Sequence, residues 1–581
     1  MRTGKRGAAS LVEALLPAVL VLVLLGPTVL TRGYVLRGDM VFVPRMPWKD
    51  SHLGLVGSDM RAVPGDALLW AAGQVLPGDL VQKAILAGAL LLGAYGARRM
   101  VAWTGALARA AAAVLYVWNP WVFERLAIGQ WGAVVGYCLL PWVAVAAHRL
   151  VDAEKLRPQD AATGVWARWR PLAVLTCWLG ACAVFSPTSG LLGAMTALAI
   201  VVVGRSLRTV AEVAASVAVV NLAWAVPALA STADRLSVAG QFSAFVARAE
   251  SAAGLLPSVL SMGGIWKESV LPPERESTSW VLLSLVSVAA AAWGWRRARA
   301  SAPPALRQGL TLLAGVCLAL AVVPALPGVT EVLDRMARGV PALGLLRDSH
   351  RFLGPAALLL VLGVAATVDA VMERAERSAQ ALAAVACLLA AWPVLCLPSM
   401  AWGLGGRLAP VHYPAEWTDV ARQMQSGRTV VLPWQGAYRG FAWNDHRAVL
   451  DPAPRFFPGD VVVDDRLLVD GRVLGPESSY HRDVGRALSS ADPAASLRAL
   501  GVEQVLVHRK HGVRSPELLG DVRHRGRGLA LVDLGEAHDR PRSPVPAVPV
   551  LVGLGLSGGA FGAAFGVVVL GVYRERKWFG A

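Results

Sequence analysis

Charge is scarce in this chain. Asp, Glu, Lys and Arg together make up 17% of its 581 residues, against about a quarter in soluble globular proteins, which excludes a chain that is soluble throughout. Lysine is scarcer still: Lys5, Lys49, Lys83, Lys155, Lys267, Lys510 and Lys577 are all there are, so arginine carries most of the formal charge of +16. The six cysteines (Cys138, Cys177, Cys182, Cys317, Cys387, Cys396) fall in or at the edge of apolar stretches, and the long polar segment near the C-terminus has none. No disulfide framework is indicated, and no CxxC pair or Cys/His cluster signals zinc. That polar segment also lacks a glycine-rich phosphate loop and a Ser-His-Asp signature. The positive balance does not point to nucleic acid, because basic cytoplasmic loops and contact with anionic lipid account for it.

What the chain has instead is apolar residues, 55% of the total, in blocks. With a mean hydropathy of +0.50, blocks of about 20 residues read as membrane spans. They lie at 11–31, 77–96, 101–118, 130–147, 171–186, 190–204, 209–229, 279–295, 309–326, 353–371, 381–397 and 546–573. The first follows the basic end "MRTGKRGAAS" and is longer than the apolar core of a cleaved signal peptide, so it reads as a retained helix.

The connections sort by charge. Arg2/Lys5/Arg6, Arg98/Arg99, Arg149/Lys155/Arg157/Arg168/Arg170, Arg205/Arg208, Arg296/Arg297/Arg299/Arg307, Arg374/Arg377 and Arg574/Arg576/Lys577 occupy alternate connections. The positive-inside rule makes these cytoplasmic, which predicts twelve spans with both termini inside. The connections at 32–76, 119–129, 187–189, 230–278, 327–352 and 398–545 then face outside, with charges of mixed sign. Arg109, inside the third block, fits this scheme poorly.

The segment 398–545 is long enough for its own core. "PAEWTDVARQMQSG" and "YHRDVGRALSS" read as helices; "RTVVLPW", "DVVVDDRLLVDG", "VEQVLVHRK" and "LALVDLG" read as strands. The expectation is a polytopic α-helical membrane body (1–397), a small extracytoplasmic α/β domain (398–545), and a final helix with a basic cytoplasmic tail (546–581). The acids Asp464, Asp465 and Asp470 read as turn residues, and the domain shows no catalytic constellation. It is expected to guide an acceptor rather than house chemistry.

Polar side chains gather in five outer places. In "NPWVFERLAIGQW", Asn119-Pro120 ends one helix, and Glu124, Arg125 and Gln130 follow on a short interfacial or re-entrant helix anchored by Trp118, Trp121 and Trp131. An interface ion pair and a functional pair both fit this pattern. In "RGDMVFVPRMPWKDSHLGLVGSDMRAVPGDALLW", Asp39 sits just beyond the first span, with Asp50, Asp59 and Asp66 further on; a carboxylate there is either a solvated turn residue or a catalytic one. "LGLLRDSHRFLGP" gathers Asp348, His350 and Arg351, which suits a helix cap as well as an anion site, with Asp348 or Ser349 as the capping residue. "SVLSMGGIWKES" offers Gly263-Gly264, Trp266 and Lys267, either a turn with an interfacial anchor or a stacking face with a phosphate partner. "FSPTSG" adds small hydroxyls at another helix break.

The segments "RGDMVFVP", "NPWVFERLAIGQW", "GGIWKE" and "LLRDSHRF" resemble those of GT-C-type membrane glycosyltransferases. The similarity is greatest to actinobacterial arabinofuranosyltransferase-like proteins and extends more distantly to YfhO-type proteins, over about residues 1–400. The resemblance implies a bacterial plasma-membrane enzyme. It would transfer a sugar, arabinofuranose or mannose, from a polyprenyl phosphate to an envelope polysaccharide or glycolipid on the outer face. It implies Asp39 as the base that activates the acceptor, and Arg125, Lys267, His350 and Arg351 as phosphate contacts, with Glu124, Gln130, Trp266 and Asp348 completing the substrate site. A divalent metal is compatible with such a site but not required by it. A transporter or flippase of a lipid-linked precursor, or a non-catalytic scaffold of envelope assembly, would carry the same charges; transporters, however, place them nearer the bilayer midplane and show internal repeats.

Overall fold

A computed structural model describes residues 2–56, 62–155, 161–231, 240–378, 380–469, 471–476, 478–509, 520–538 and 545–579. Asp59, Arg157, Asp470 and the start of the Pro-rich "RPRSPVPAVP" stretch lie outside them. A helix lies over each apolar block: Arg2–Leu25, Gly78–Met100, Ala106–Val117, Trp131–Lys155, Ala161–Phe185, Pro187–Val202, Leu207–Ala230, Thr278–Arg297, Pro304–Val322, Ala356–Ser378, Gln380–Cys396 and Ala547–Phe579. Among the described residues seven helices are long and apolar enough to cross a bilayer. An eighth joins them if Gln380–Cys396 and Pro398–Gly405, bent by 67°, form one broken span; Ala14–Leu25, Trp169–Phe185 and Pro187–Val202 are shorter apolar helices. The body is thus polytopic and helical. Arg109 falls in the first turn of Ala106–Val117, where its Nη1 donates to Thr104 O (2.7 Å), so it belongs to a loop edge and not to a mid-span position.

Trp131–Lys155 is the central helix, with 83% of its apolar window buried. Small residues let its neighbours and the other helices close up, as expected where lipid leaves packing as the main driving force. The Thr278–Arg297 and Ala356–Ser378 helices show the tightest case. A Cβ on Gly294 would lie 1.9 Å from Gly363 O, so the backbones touch there.

Beyond the helical body, the described residues form nine strands: β1 (Arg428–Leu432), β2 (Tyr438–Gly440), β3 (Ala448–Leu450), β4 (Asp460–Val462), β5 (Leu467–Val469), β6 (Arg472–Leu474), β7 (Gln504–His508), β8 (Asp521–Arg525) and β9 (Leu529–Asp533). Five of them make one sheet in the order β4-β1-β7-β9-β8, parallel across β4-β1-β7 and antiparallel beyond; β2-β3 and β5-β6 are separate hairpins. Side chains alternate along β1. Val430 and Leu432 pack with Val484 and Leu497 of the Ser479–Leu488 and Pro493–Ala499 helices, while Val431 joins Trp417, Leu506 and Leu531 on the other face. A parallel centre covered on both faces explains the near-continuous apolar strands "RTVVL" and "QVLVH". The helices and strands read from the sequence are present, and β2, β3, β6 and β8 are additions to that reading.

The sheet-bearing unit is bound to the loop that follows the first helix. Tyr34 pairs with Val411 and Gly38 with Val449. Tyr413 Oη donates to Phe42 O (2.9 Å), Lys49 Nζ to Pro454 O (2.6 Å), and Arg455 to Val41 O (2.7 Å) and Asp66 Oδ1 (2.6 Å).

Candidate functional site

The segment Pro120–Ala127 is a two-turn helix between two spans. Asn119 starts it: the extended backbone of that residue lets its side chain accept from Val122 N (3.1 Å), and Pro120 occupies the first helical position. Trp118, Trp121 and Trp131 are buried, so they pack the interior and do not anchor the chain at a lipid interface as the sequence suggested. Trp121 Nε1 donates to the His350 carbonyl (3.3 Å), and the Trp121 ring stacks on Tyr137 at 4.7 Å.

This helix delivers Arg125 to the interior with 0% exposure. Its Nη1 donates to Gln130 Oε1 (2.7 Å) and Asp348 Oδ2 (2.9 Å), its Nη2 to Asp348 Oδ1 (3.3 Å) and to His350 Nδ1. A guanidinium can only donate, so Nδ1 accepts and the imidazole proton sits on Nε2, which donates to Gly263 O (3.0 Å). Arg351 Nε takes Asp348 Oδ2 from the other side (2.8 Å), its Nη1 lies 3.5 Å from Thr188 Oγ1 of the "FSPTSG" stretch, and its side chain is 29% exposed. Asp348 precedes the Ser349–Leu353 turn of helix without capping it; its carboxylate is spent on the two arginines.

Glu124 turns the opposite way. It is fully buried, accepts no hydrogen bond among the described residues, and lies 3.7 Å from His350 Nε2. Burial, and next the Glu250 carboxylate beside it, push its pKa well above the usual range, which favours the protonated acid. Glu250 is itself held by Arg275 Nε (3.0 Å), while Arg275 Nη2 also donates to Ser261 Oγ (2.8 Å) and Ser258 O (3.2 Å). Gly263 passes so close that a Cβ there would lie 2.4 Å from Glu250 Oε2, which gives the "GG" of "SMGGIWK" a packing reason.

Asp39 occupies a second centre joined to the first by backbone. Arg37–Met40 is a tight turn closed by Met40 N to Arg37 O (2.9 Å), and Asp39 N donates to Ile128 O (3.0 Å) just past the two-turn helix. Two glycines permit this contact. Gly38 (φ +52°) would place a Cβ 1.8 Å from Ile128 O, and Gly129 (φ +84°) would place one 2.0 Å from Arg37 O. From the sheet-bearing unit, Tyr438 Oη donates to Asp39 Oδ1. Lys267 Nζ stands 5.6 Å from the Tyr438 ring centroid and 6.0 Å from that of Trp266, and Trp266 is buried against Phe245. Arg37 Nε donates to Ala127 O (2.7 Å). Burial, then Arg407 and Arg447, lower the Arg37 pKa to about 10.

The structure therefore sorts the sequence candidates into two groups. Glu124, Arg125, Gln130, Asp348, His350 and Arg351 form one network; Asp39, Lys267 and Trp266 meet around Tyr438. Arg125 and His350 are both buried, and the two terminal nitrogens of Arg125 and both ring nitrogens of His350 meet protein partners. The sheet-bearing unit is not separate from the candidate base, since Tyr438 touches it. Sequence reading missed Tyr438, Arg37, Glu250 and Arg275. An arginine two residues before Asp39 was visible, but nothing local marks the other three. Among the described residues no group of three or more His, Cys, Asp or Glu is arranged to hold a metal ion. A cleft of about 440 Å³ lies elsewhere, beside the five-stranded sheet, lined by Gln425, Glu503, Asp533, Gly535, Glu536 and Ala537.

No protein-family model matches this chain, and no curated protein matches it in sequence. Its fold is similar to the cryo-EM structure of arabinofuranosyltransferase AftD from Mycobacteria, with a TM-score of 0.58 and 16% identity over 91% of this chain. That stretch is 42% of the AftD chain, so this chain spans less than half the length of that one. The arabinofuranosyltransferase-like architecture expected from the sequence motifs is met at the level of fold.

Proposed function

We propose that this protein is a GT-C-type glycosyltransferase of the bacterial plasma membrane. It transfers a sugar, arabinofuranose or mannose, from a polyprenyl phosphate to an envelope polysaccharide or glycolipid on the extracytoplasmic face. The body crosses the bilayer twelve times with both termini in the cytoplasm, and residues 398–545 lie outside. The observation that carries this reading is the placement of Asp39. A carboxylate directly beyond the first span is fixed by the loop after the two-turn helix and faced by the outer unit, within a fold similar to that of an arabinofuranosyltransferase.

In the reaction, Asp39 removes the proton from the acceptor hydroxyl as the bond from the sugar anomeric carbon to the phosphate oxygen breaks and the bond to the acceptor oxygen forms. Lys267 and the partly exposed Arg351 are the cations that meet the departing lipid phosphate, an electrostatic contribution strengthened where water is scarce. Arg125, Asp348, Gln130, His350 and Glu124 hold that wall in place, and Trp266 backs Lys267.

The test is transfer by purified full-length protein supplied with polyprenyl-phosphate arabinofuranose or mannose and a short alkyl glycoside acceptor. Donor-dependent extension of the acceptor supports the reading. Binding of neither donor favours a lipid-linked precursor transporter or an assembly scaffold.

A further inference from the structure

Tyr438 belongs to the outer unit, yet its hydroxyl donates to a carboxylate 399 residues earlier in the chain. The hairpin that carries it also grips the turn that carries Asp39. In β2-β3, Tyr438 stands opposite Leu450 and Gly440 opposite Ala448. Gly38 N donates to Ala448 O and Leu450 N donates to Gly38 O, both at 2.8 Å. On its other side Gly38 abuts Ile128 with no room for a Cβ. The backbone around Asp39 is thus clamped between the outer hairpin and the loop after the two-turn helix, and the phenol fixes the one element still free to turn, the carboxylate itself. Tyr438 takes Oδ1 and leaves Oδ2 for a substrate proton. Lys267, over the Tyr438 ring, brings a cation to the same point.

We propose that Tyr438 is a positioning residue for the transfer reaction, and that the outer unit is through it a working part of the active site. Resting on the reading of Asp39 as the base, the role assigns no proton transfer to the tyrosine. Tyr438 keeps its hydrogen throughout, holds the Asp39 carboxylate in one rotamer, and aims Oδ2 at the acceptor hydroxyl, whose proton Asp39 alone receives. Orientation of this kind is worth large factors in rate, since a misplacement of about 1 Å at a reacting group can cost on the order of 100-fold.

The experiment compares the full-length wild type with Tyr438→Phe, Asp39→Asn and the double variant, using polyprenyl-phosphate arabinofuranose and an octyl arabinofuranoside acceptor. Tyr438→Phe is expected to lower kcat by roughly 10- to 100-fold with KM for the donor and the melting temperature unchanged. Replacing Tyr438 by para-aminophenylalanine, which keeps the ring and a donor, should restore most of the rate. In the Asp39→Asn background, Tyr438→Phe should cost nothing further, because the base it positions is gone. A Tyr438→Phe protein with wild-type or raised kcat overturns the proposal while leaving Asp39 as the base. So does a full additional loss in the double variant, or a folded para-aminophenylalanine protein as slow as Tyr438→Phe. Full turnover by Asp39→Asn removes the base assignment and this proposal with it.

Discussion

Arg125 and Asp348 stand 223 residues apart in the chain and meet in the interior through two hydrogen bonds of 2.9 and 3.3 Å. Neither reaches solvent to any extent, with exposures of 0% and 2%. Burying two charges costs several kcal/mol per ion, and their attraction repays that only with further hydrogen bonds. Gln130 and Arg351 supply them. The pair fixes the two-turn helix to the start of the Ala356–Ser378 region, and so sets where Arg351 emerges.

Removing one partner should therefore cost more than removing both. Asp348→Ala leaves the Arg125 guanidinium buried beside Arg351 without its carboxylate, which is expected to destabilise the protein by about 3–5 kcal/mol. The double variant Arg125→Met, Asp348→Leu should lose less. Melting temperatures of the detergent-purified proteins check the ordering, and equal losses would contradict it.

Acid should weaken the sheet-bearing unit through Asp451. Burial alone would raise the pKa of this carboxyl. His508 Nε2 (3.1 Å), Arg439 Nε (3.1 Å) and Ala453 N (3.0 Å) outweigh that and hold it well below the usual range. A native pKa below the unfolded one means that the ionised form stabilises the fold. The contribution is complete above the unfolded value of about 3.9 and is lost as pH falls below it. Stability should thus drop steadily below about pH 4, and Asp451→Asn, less stable at neutral pH, should show a shallower drop. Parallel acid profiles for the two proteins would count against this assignment.

The proposed topology puts the β5-β6 hairpin outside the cell. Val473 is 65% exposed there, so Val473→Cys should react with a membrane-impermeant maleimide in intact cells, over the background set by the six native cysteines. Labelling confined to lysed cells would invert the topology.

The helical body was largely legible because apolar blocks of spanning length and alternating basic loops are local properties of sequence. Arg109 looked misplaced only because the apolar block starts before the helix does. The strands "RTVVL" and "QVLVH" stood out because both of their faces are buried, whereas β8, mostly exposed with its side chains in "DVRHR", carries no such signal. The site was half legible. The polar residues of "NPWVFERLAIGQW" and "LLRDSHRF" were identified, but not that Arg125 would be consumed by Asp348, since that depends on a contact between distant segments. For the same reason the tryptophans beside them read as interfacial when they are core. Tyr438 was invisible: one tyrosine in a polar strand acquires meaning only when the fold sets it on Asp39.

The most direct test of the account is the turnover of Asp39→Asn. Asparagine keeps the size of the side chain, and the Tyr438 hydroxyl can still donate to its carbonyl oxygen, but it cannot accept the substrate proton. The measurement is sugar transfer from polyprenyl-phosphate arabinofuranose, alongside donor affinity of the same preparation. The account predicts a fall in kcat of at least about 100-fold with donor affinity little changed. Wild-type turnover by Asp39→Asn would contradict it.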